Sequence, residues 1–168
     1  MLLAERKRDL NIQIGVGNKK GKFNLFAMGG ASTLSTIYKK NNSEILNINV
    51  DTMSNICNKY IPRGKKINFC KIDVEGEEKN VLLGYDFENY RPKVFCIEST
   101  KPGTVIPCYD LWEDILFKNN YSFAFEYAIN RYYIDNRIEG LRERFYQINK
   151  YIQFFNLFKK NNIYYNKI

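Results

Sequence analysis

The stretch CKIDVEGEEKNVLLG, Cys70–Gly84, carries most of the information about the fold. Its start completes an alternating apolar run, INFCKIDV from Ile67 to Val74, which predicts a strand. Gly76 then opens a short helix. Glu77 and Glu78 sit where the helix dipole favours negative charge, Val81, Leu82 and Leu83 are its apolar residues, and Gly84 stops it. A further strand, PKVFCIE over Pro92–Glu98, comes next. Strand–helix–strand order of this kind predicts an α/β fold with a parallel sheet.

The charges in this stretch are unusual for its predicted place. A buried parallel strand normally reads as a continuous apolar run. Here Lys71, Asp73 and, if the strand persists, Glu75 share one face. Charges there are costly unless they pair or face a cleft. In open parallel sheets, ligands sit outside the carboxyl ends of the strands. Asp73 and Glu75 fall at that end, and Glu98 falls at the same end of the next strand. Two readings stay open: three carboxylates converging on a site, or a Lys71–Asp73 ion pair beside ordinary helix-terminus glutamates.

On the amino-terminal side, Leu10–Val16 reads as a strand, Asn18–Gly21 as a turn and Lys22–Met28 as a second strand. MGGASTLS, Met28–Ser35, reads as a glycine-containing loop, Ile45–Val50 as a strand, and Thr52–Tyr60 as a helix ending near Pro62. Gly15, Gly17 and Gly21 come close to a dinucleotide fingerprint, but the spacing is off by one residue. A strand pattern comes after them, so no helix N-terminus is available to a phosphate.

On the carboxyl-terminal side, Pro107 starts a helix running to about Lys118, with Leu111, Trp112, Ile115 and Leu116 as core candidates. Tyr121–Ala128 and Arg131–Asp135 form a hairpin around Asn130, an antiparallel edge to the sheet. A long helix, about Glu139–Lys160, places Leu141, Phe145, Ile148, Ile152, Phe155 and Phe158 on one stripe. That stripe either packs on the sheet or meets a partner or an anionic membrane surface.

Composition bounds the chemistry. The chain has 168 residues, a net charge of +8 and no histidine. Catalytic systems built on an imidazole base are excluded, as are zinc sites with His ligands. A general base must be a carboxylate, Lys, Tyr or Cys. Cys57, Cys70, Cys96 and Cys108 form no CxxC pair and read as buried free thiols, and no metal site is expected. The basic residues are scattered, which predicts a solvated surface and no nucleic-acid partner. The amino terminus has no signal-peptide h-region and no apolar run is long enough to span a bilayer, so a cytoplasmic protein is expected.

KIDVEGEEKNVLLG, Lys71–Gly84, resembles the signature of FkbM-type methyltransferases. RPKVFCIES resembles that family's next strand, and LWEDILFKNNYSF its following helix and strand start. GGASTLS and VDTMSNI resemble earlier family segments, although Met53 and Ser54 depart from the pattern. The likeness covers roughly residues 9–136, a partial FkbM-like domain over 1–136 followed by a helix and tail over 137–168.

The resemblance implies a Rossmann-like methyltransferase sheet, with S-adenosyl-L-methionine as cofactor and a hydroxyl on a sugar, glycan or small molecule as acceptor. It places Asp73, Glu75 and Glu98 at the catalytic end of the sheet, with Asp73 orienting or deprotonating the acceptor. It suggests Ser32 and Thr33 as contacts to acceptor or cofactor. It also implies that the family's first two strands, with their glycine-rich loop, are absent here. The family order places those strands between the third and the fourth, so Ile67–Val74 becomes an edge. The expectation is therefore an incomplete sheet: a truncated or split methyltransferase whose companion chain supplies the cofactor half. The alternative is a non-catalytic binding module, or pseudoenzyme, derived from that fold.

Overall fold

The structure, a computed structural model, describes residues 9–28, 31–33, 44–151 and 153. It is a mixed α/β fold with two four-stranded sheets. The first contains β1 (Gly15–Gly17), β2 (Gly21–Met28), β3 (Ala31–Thr33) and β4 (Glu44–Thr52), in the order β1-β4-β2-β3. Helix α1 (Met53–Tyr60) comes directly after β4, and the Thr52 hydroxyl accepts from the Asn55 N–H at its amino end. The second sheet contains β5 (Ile67–Ile72), β6 (Pro92–Glu98), β7 (Tyr121–Tyr127) and β8 (Asn130–Asp135), in the order β5-β6-β8-β7. Helices α2 (Glu78–Leu83) and α3 (Glu113–Lys118) come from its connections.

In the second sheet β5 and β6 are parallel, while β8 runs antiparallel to both β6 and β7. β6 is buried on both faces: Phe95 and Ile97 are inaccessible, and Val94 and Cys96 are buried beside them. β5 buries one face only. Cys70 and Ile72 enter the core, while Phe69 is 53% exposed. β5 is an edge strand among the described residues.

The core gathers Val81 and Leu82 of α2, Trp112 before α3, Leu116 within it, and an aromatic group of Tyr85, Phe87, Phe95 and Tyr121. Ring centroids in that group approach to 5.0 Å for Tyr85–Phe87 and for Phe95–Tyr121. α2 also joins the two sheets. The Ser54 N–H and hydroxyl both donate to the Gly84 carbonyl, at 3.0 and 2.7 Å, and the Gly17 carbonyl lies where a Gly84 Cβ would be. All four cysteines are free and buried. Burial pushes the Cys70 thiol up to about 12 and Cys108 up to about 11.

Several sequence expectations are corrected. The first strand is Gly15–Gly17, not Leu10–Val16; it pairs with one end of β4, and Leu10 and Ile12 are exposed. Met28–Ser35 is not simply a loop, because β2 and β3 form a hairpin that pairs Met28 with Ala31. β5 ends at Ile72 rather than Val74. Pro107 does not start a helix. The chain doubles back through Lys101–Ile106, pairs Thr100 with Pro107, and makes a 3₁₀ turn at Tyr109–Leu111 before α3. Leu111 consequently faces solvent, while Trp112 and Leu116 are buried.

The β7–β8 hairpin turns at Ala128, which has φ +54, so Asn130 belongs to β8. After Gly140, residues 141–151 are helical and make up α4. Phe145 stacks on Phe125 at 5.9 Å and Asn149 reaches the Ala124 carbonyl, so this helix packs on the sheet. Ile152, Phe155 and Phe158 lie outside the described side chains. Among the described residues, no helix is long and apolar enough to cross a membrane.

Candidate active site

The site is assembled by the segment between β5 and α2. Once the strand ends at Ile72, the chain turns sharply: Glu75 has φ +51 and Gly76 φ +96. Glycine takes such a conformation freely, whereas a non-glycine residue there is uncommon and stores strain. The turn is clamped from below. Glu78, 2% exposed, accepts through Oε1 from the N–H groups of Val74 (3.2 Å) and Gly76 (3.3 Å). Burial raises the Glu78 carboxyl against those hydrogen bonds, and the field of Asp73 adds to the rise. The sequence reading gave Glu78 only a helix-dipole role. An acid in the first turn of a helix shows no sign, in sequence, of being buried.

The result is convergence. Asp73, Glu75 and Glu98 each bring a carboxylate oxygen within 4.8 Å of the others. Alternation along one strand face does not produce this, because Asp73 and Glu75 lie beyond the strand. The turn delivers Glu75, and parallel pairing of β5 with β6, Ile72 opposite Ile97, sets Glu98 beside the same point. Asp73 is partly exposed and Glu98 is 5% exposed. Glu98 Oε2 and Glu75 Oε2 are buried without a hydrogen-bond partner.

Lys71 Nζ lies 2.7 Å from Asp73 Oδ2 and donates to Asn130 Oδ1 at 2.9 Å. Both readings of the sequence are thus partly realised: the ion pair exists, and it sits within a carboxylate cluster.

The carboxyls of Asp73 and Glu98 are driven apart. Burial, then the contact with Asp73, then the fields of Asp73, Glu75 and Glu78 push Glu98 up to about 8. Burial works to raise Asp73 as well, but hydrogen bonds from Lys71 and Glu98 and the Lys71 charge outweigh it, so Asp73 sits below the usual carboxylate range. Opposed shifts in neighbouring carboxyls separate an acid from a base.

The residues just past Glu98 line a groove of about 370 Å³, shared with Val105, Pro107, Tyr109, Glu126 and Ile129. The Ser99 hydroxyl is used, donating to the Ile129 carbonyl at 3.0 Å. The Thr100 hydroxyl is buried with no partner. One wall is held rigidly: the Arg131 guanidinium lies 3.6 Å from the Tyr109 ring centroid, 4.1 Å from that of Phe123, and 2.8 Å from Glu113. The sequence reading missed Thr100. Its position just past the end of β6 was the available signal. A second cavity, lined by Asn58, Arg63, Asn89 and Tyr90, lies near the amino ends of β5 and β6, away from the carboxylates.

Ser32 and Thr33 belong to the first sheet, whereas the carboxylates are set by the second. They lie on β3, at the edge of the first sheet opposite β1, and β1 is the strand that meets α2. Their side chains lie outside those described.

A family model described as the methyltransferase FkbM domain matches residues 2–123. The chain belongs to the FkbM methyltransferase family. Neither a curated protein nor a solved structure matches it. The FkbM match takes in α2, β5, β6 and all three converging carboxylates.

FkbM methyltransferases usually use S-adenosylmethionine; among the described residues, the glycines closest to a dinucleotide fingerprint do not lead into a helix. Gly15 and Gly17 are strand residues, and Gly21 begins β2 rather than a helix. Asp51, at the end of β4, has one carboxylate oxygen, Oδ1, accepting from Thr52 N–H and Asn55 Nδ2 at the start of α1.

Proposed function

We propose that this chain carries the acceptor side of an S-adenosylmethionine-dependent O-methyltransferase. The convergence of Asp73, Glu75 and Glu98 at the carboxyl ends of β5 and β6 is the observation that carries the reading. The acceptor is a small molecule or sugar whose body lies in the neighbouring groove. The unpartnered Thr100 hydroxyl offers it a hydrogen bond there. Asp73, the ionised and more exposed carboxylate, takes the proton of the reacting hydroxyl. Glu98, protonated at neutral pH, hydrogen-bonds Asp73 and aims it, and Lys71 holds Asp73 from the other side. Groove and carboxylates together fix the orientation, which is where much of the rate enhancement of a displacement reaction arises.

The methyl donor is held by a polypeptide segment that adds to the open edge of β5, bringing a glycine-rich strand and helix. Two observations support this: β5 has a strand neighbour on one side only among the described residues, and Phe69 on it is half exposed.

Two measurements test the reading. Calorimetric titration of the 168-residue chain with S-adenosylmethionine is expected to show no micromolar binding; micromolar affinity would overturn the divided cofactor site. With a glycine-rich segment supplied, transfer of labelled methyl to a panel of hydroxyl acceptors is expected. Asp73→Asn then lowers kcat by about 10²–10⁴-fold. Transfer that is unaffected by this substitution removes Asp73 as the base. No transfer to any acceptor leaves the non-catalytic module as the better description.

A further inference from the structure

The geometry points to a binding site for one hard divalent cation, of the Mg²⁺, Mn²⁺ or Ca²⁺ class, held by the carboxylates of Asp73, Glu75 and Glu98. Acidic clusters are common on protein surfaces, and this one differs in two respects. Glu98, one of whose carboxylate oxygens lies in the cluster, is 5% exposed, and its Oε2 is buried without a hydrogen-bond partner. Glu75 Oε2 is also buried and unpartnered. A buried carboxylate oxygen with no donor is expensive to keep, so two on neighbouring acids call for a proton or a positive ligand.

Charge and size agree. Three carboxylates and the Lys71 ammonium carry a formal charge of about −2 when ionised, which a divalent ion cancels. Ligand oxygens 2.3–2.6 Å from a Ca²⁺ ion lie up to about 5 Å apart across it. The three oxygens here lie within 4.8 Å of one another, so all can reach one ion without rebuilding the backbone. Carboxylates alone make a hard donor set, which favours this class over zinc or copper. Glu78 holds the turn that delivers Asp73 and Glu75 and is a positioning residue. Lys71, 2.7 Å from Asp73, competes with the ion for that carboxylate.

Cation binding does not depend on the proposed methyl transfer. One consequence does: a bound ion would leave coordination positions to water or to an acceptor hydroxyl and make that hydroxyl more acidic. A cation and a proton shared between Asp73 and Glu98 are alternative ways to satisfy the same oxygens.

The test uses the full chain, stripped with a chelator, with no methyl donor or acceptor present. Mn²⁺ is added and the free ion is followed by electron paramagnetic resonance, with Ca²⁺ and Mg²⁺ measured by calorimetry. The expected result is one ion per chain with a Kd on the order of 0.1 mM. Glu98→Gln, nearly isosteric, is expected to weaken binding by about tenfold or more, and Lys71→Met to tighten it by about fivefold, because a competing charge is gone. Glu88→Gln, exposed and outside the cluster, leaves binding unchanged. If Glu98→Gln does not fold by circular dichroism, Asp73→Asn replaces it with the same expected loss. No saturable binding of any of the three ions at about 5 mM would overturn the proposal. So would binding that neither Glu98→Gln nor Asp73→Asn weakens. Because the readout is metal alone, its failure leaves the methyltransferase reading standing.

Discussion

At the amino end of β6, Arg91 meets Asp135 through two bonds, Nε to Oδ2 at 3.0 Å and a second nitrogen to Oδ1 at 2.6 Å. Its remaining nitrogen donates to the carbonyls of Phe87 and Asn119, and its guanidinium stacks on the Tyr121 ring at 4.5 Å. At the carboxyl end of the same strand, Glu98 joins Asp73 and Glu75, and two carboxylate oxygens have no donor. Both ends bury a carboxyl group. One satisfies it through a planar bidentate pair that also ties together the chain ahead of β6, the turn after α3 and the end of β8. The other leaves it unsatisfied behind a strained turn. Polar groups that are fully engaged by their neighbours have none left for a ligand, whereas open ones are available at a cost in stability.

The largest effect should come from breaking the satisfied end. Asp135→Ala strands the Arg91 guanidinium, whose side chain is only 11% exposed, and is expected to destabilise the fold by about 3–5 kcal/mol in urea denaturation. A loss below about 1 kcal/mol would show that solvent replaces the pair easily and that the two ends do not differ as described.

The open end should respond in the opposite direction. Glu98 binds its proton more tightly folded than unfolded, so from about pH 5 to 8 the folded state holds a proton that the unfolded state has lost. Stability attributable to Glu98 therefore falls as pH rises through this window, and the penalty is complete above about 8. In chelator-containing buffer, Glu98→Gln should be more stable than the parent by about 1–2 kcal/mol at pH 8.5 and close to it at pH 4.5. A parent and variant with parallel pH profiles would show that the carboxyl is not perturbed.

The smallest effect belongs to the exposed pair between these extremes. Lys71→Met should change stability by less than about 1 kcal/mol, since both partners are roughly two-fifths exposed and solvent screens them. A larger loss would make Lys71 structural rather than a holder of Asp73.

The stretch Lys71–Gly84 exposed the family and the acidic character of the site because its pattern is local: a strand, a glycine turn, a short helix and a terminal glycine. β6 was equally legible, being an apolar run that starts at Pro92, and so was the closing hairpin apart from its turn, which falls at Ala128 and not around Asn130. What failed depended on distant partners. Leu10–Val16 alternates like a strand, yet only Gly15–Gly17 finds β4 to pair with. Pro107 is well suited to begin a helix, yet the turn at Lys101–Ile106 returns it to Thr100 first.

By itself the sequence determined the α/β class, the exclusion of imidazole chemistry and the identity of the acidic residues. Those come from composition and from hydrophobic period, which are properties of short windows. Only the tertiary structure decided how the acids meet. The left-handed turn at Glu75–Gly76, the buried clamp of Glu78 and the β5–β6 register place Asp73, Glu75 and Glu98 around one point. Whether a carboxylate there is satisfied or open depends on what every neighbouring strand brings to the same few ångströms. No short window of sequence contains that information.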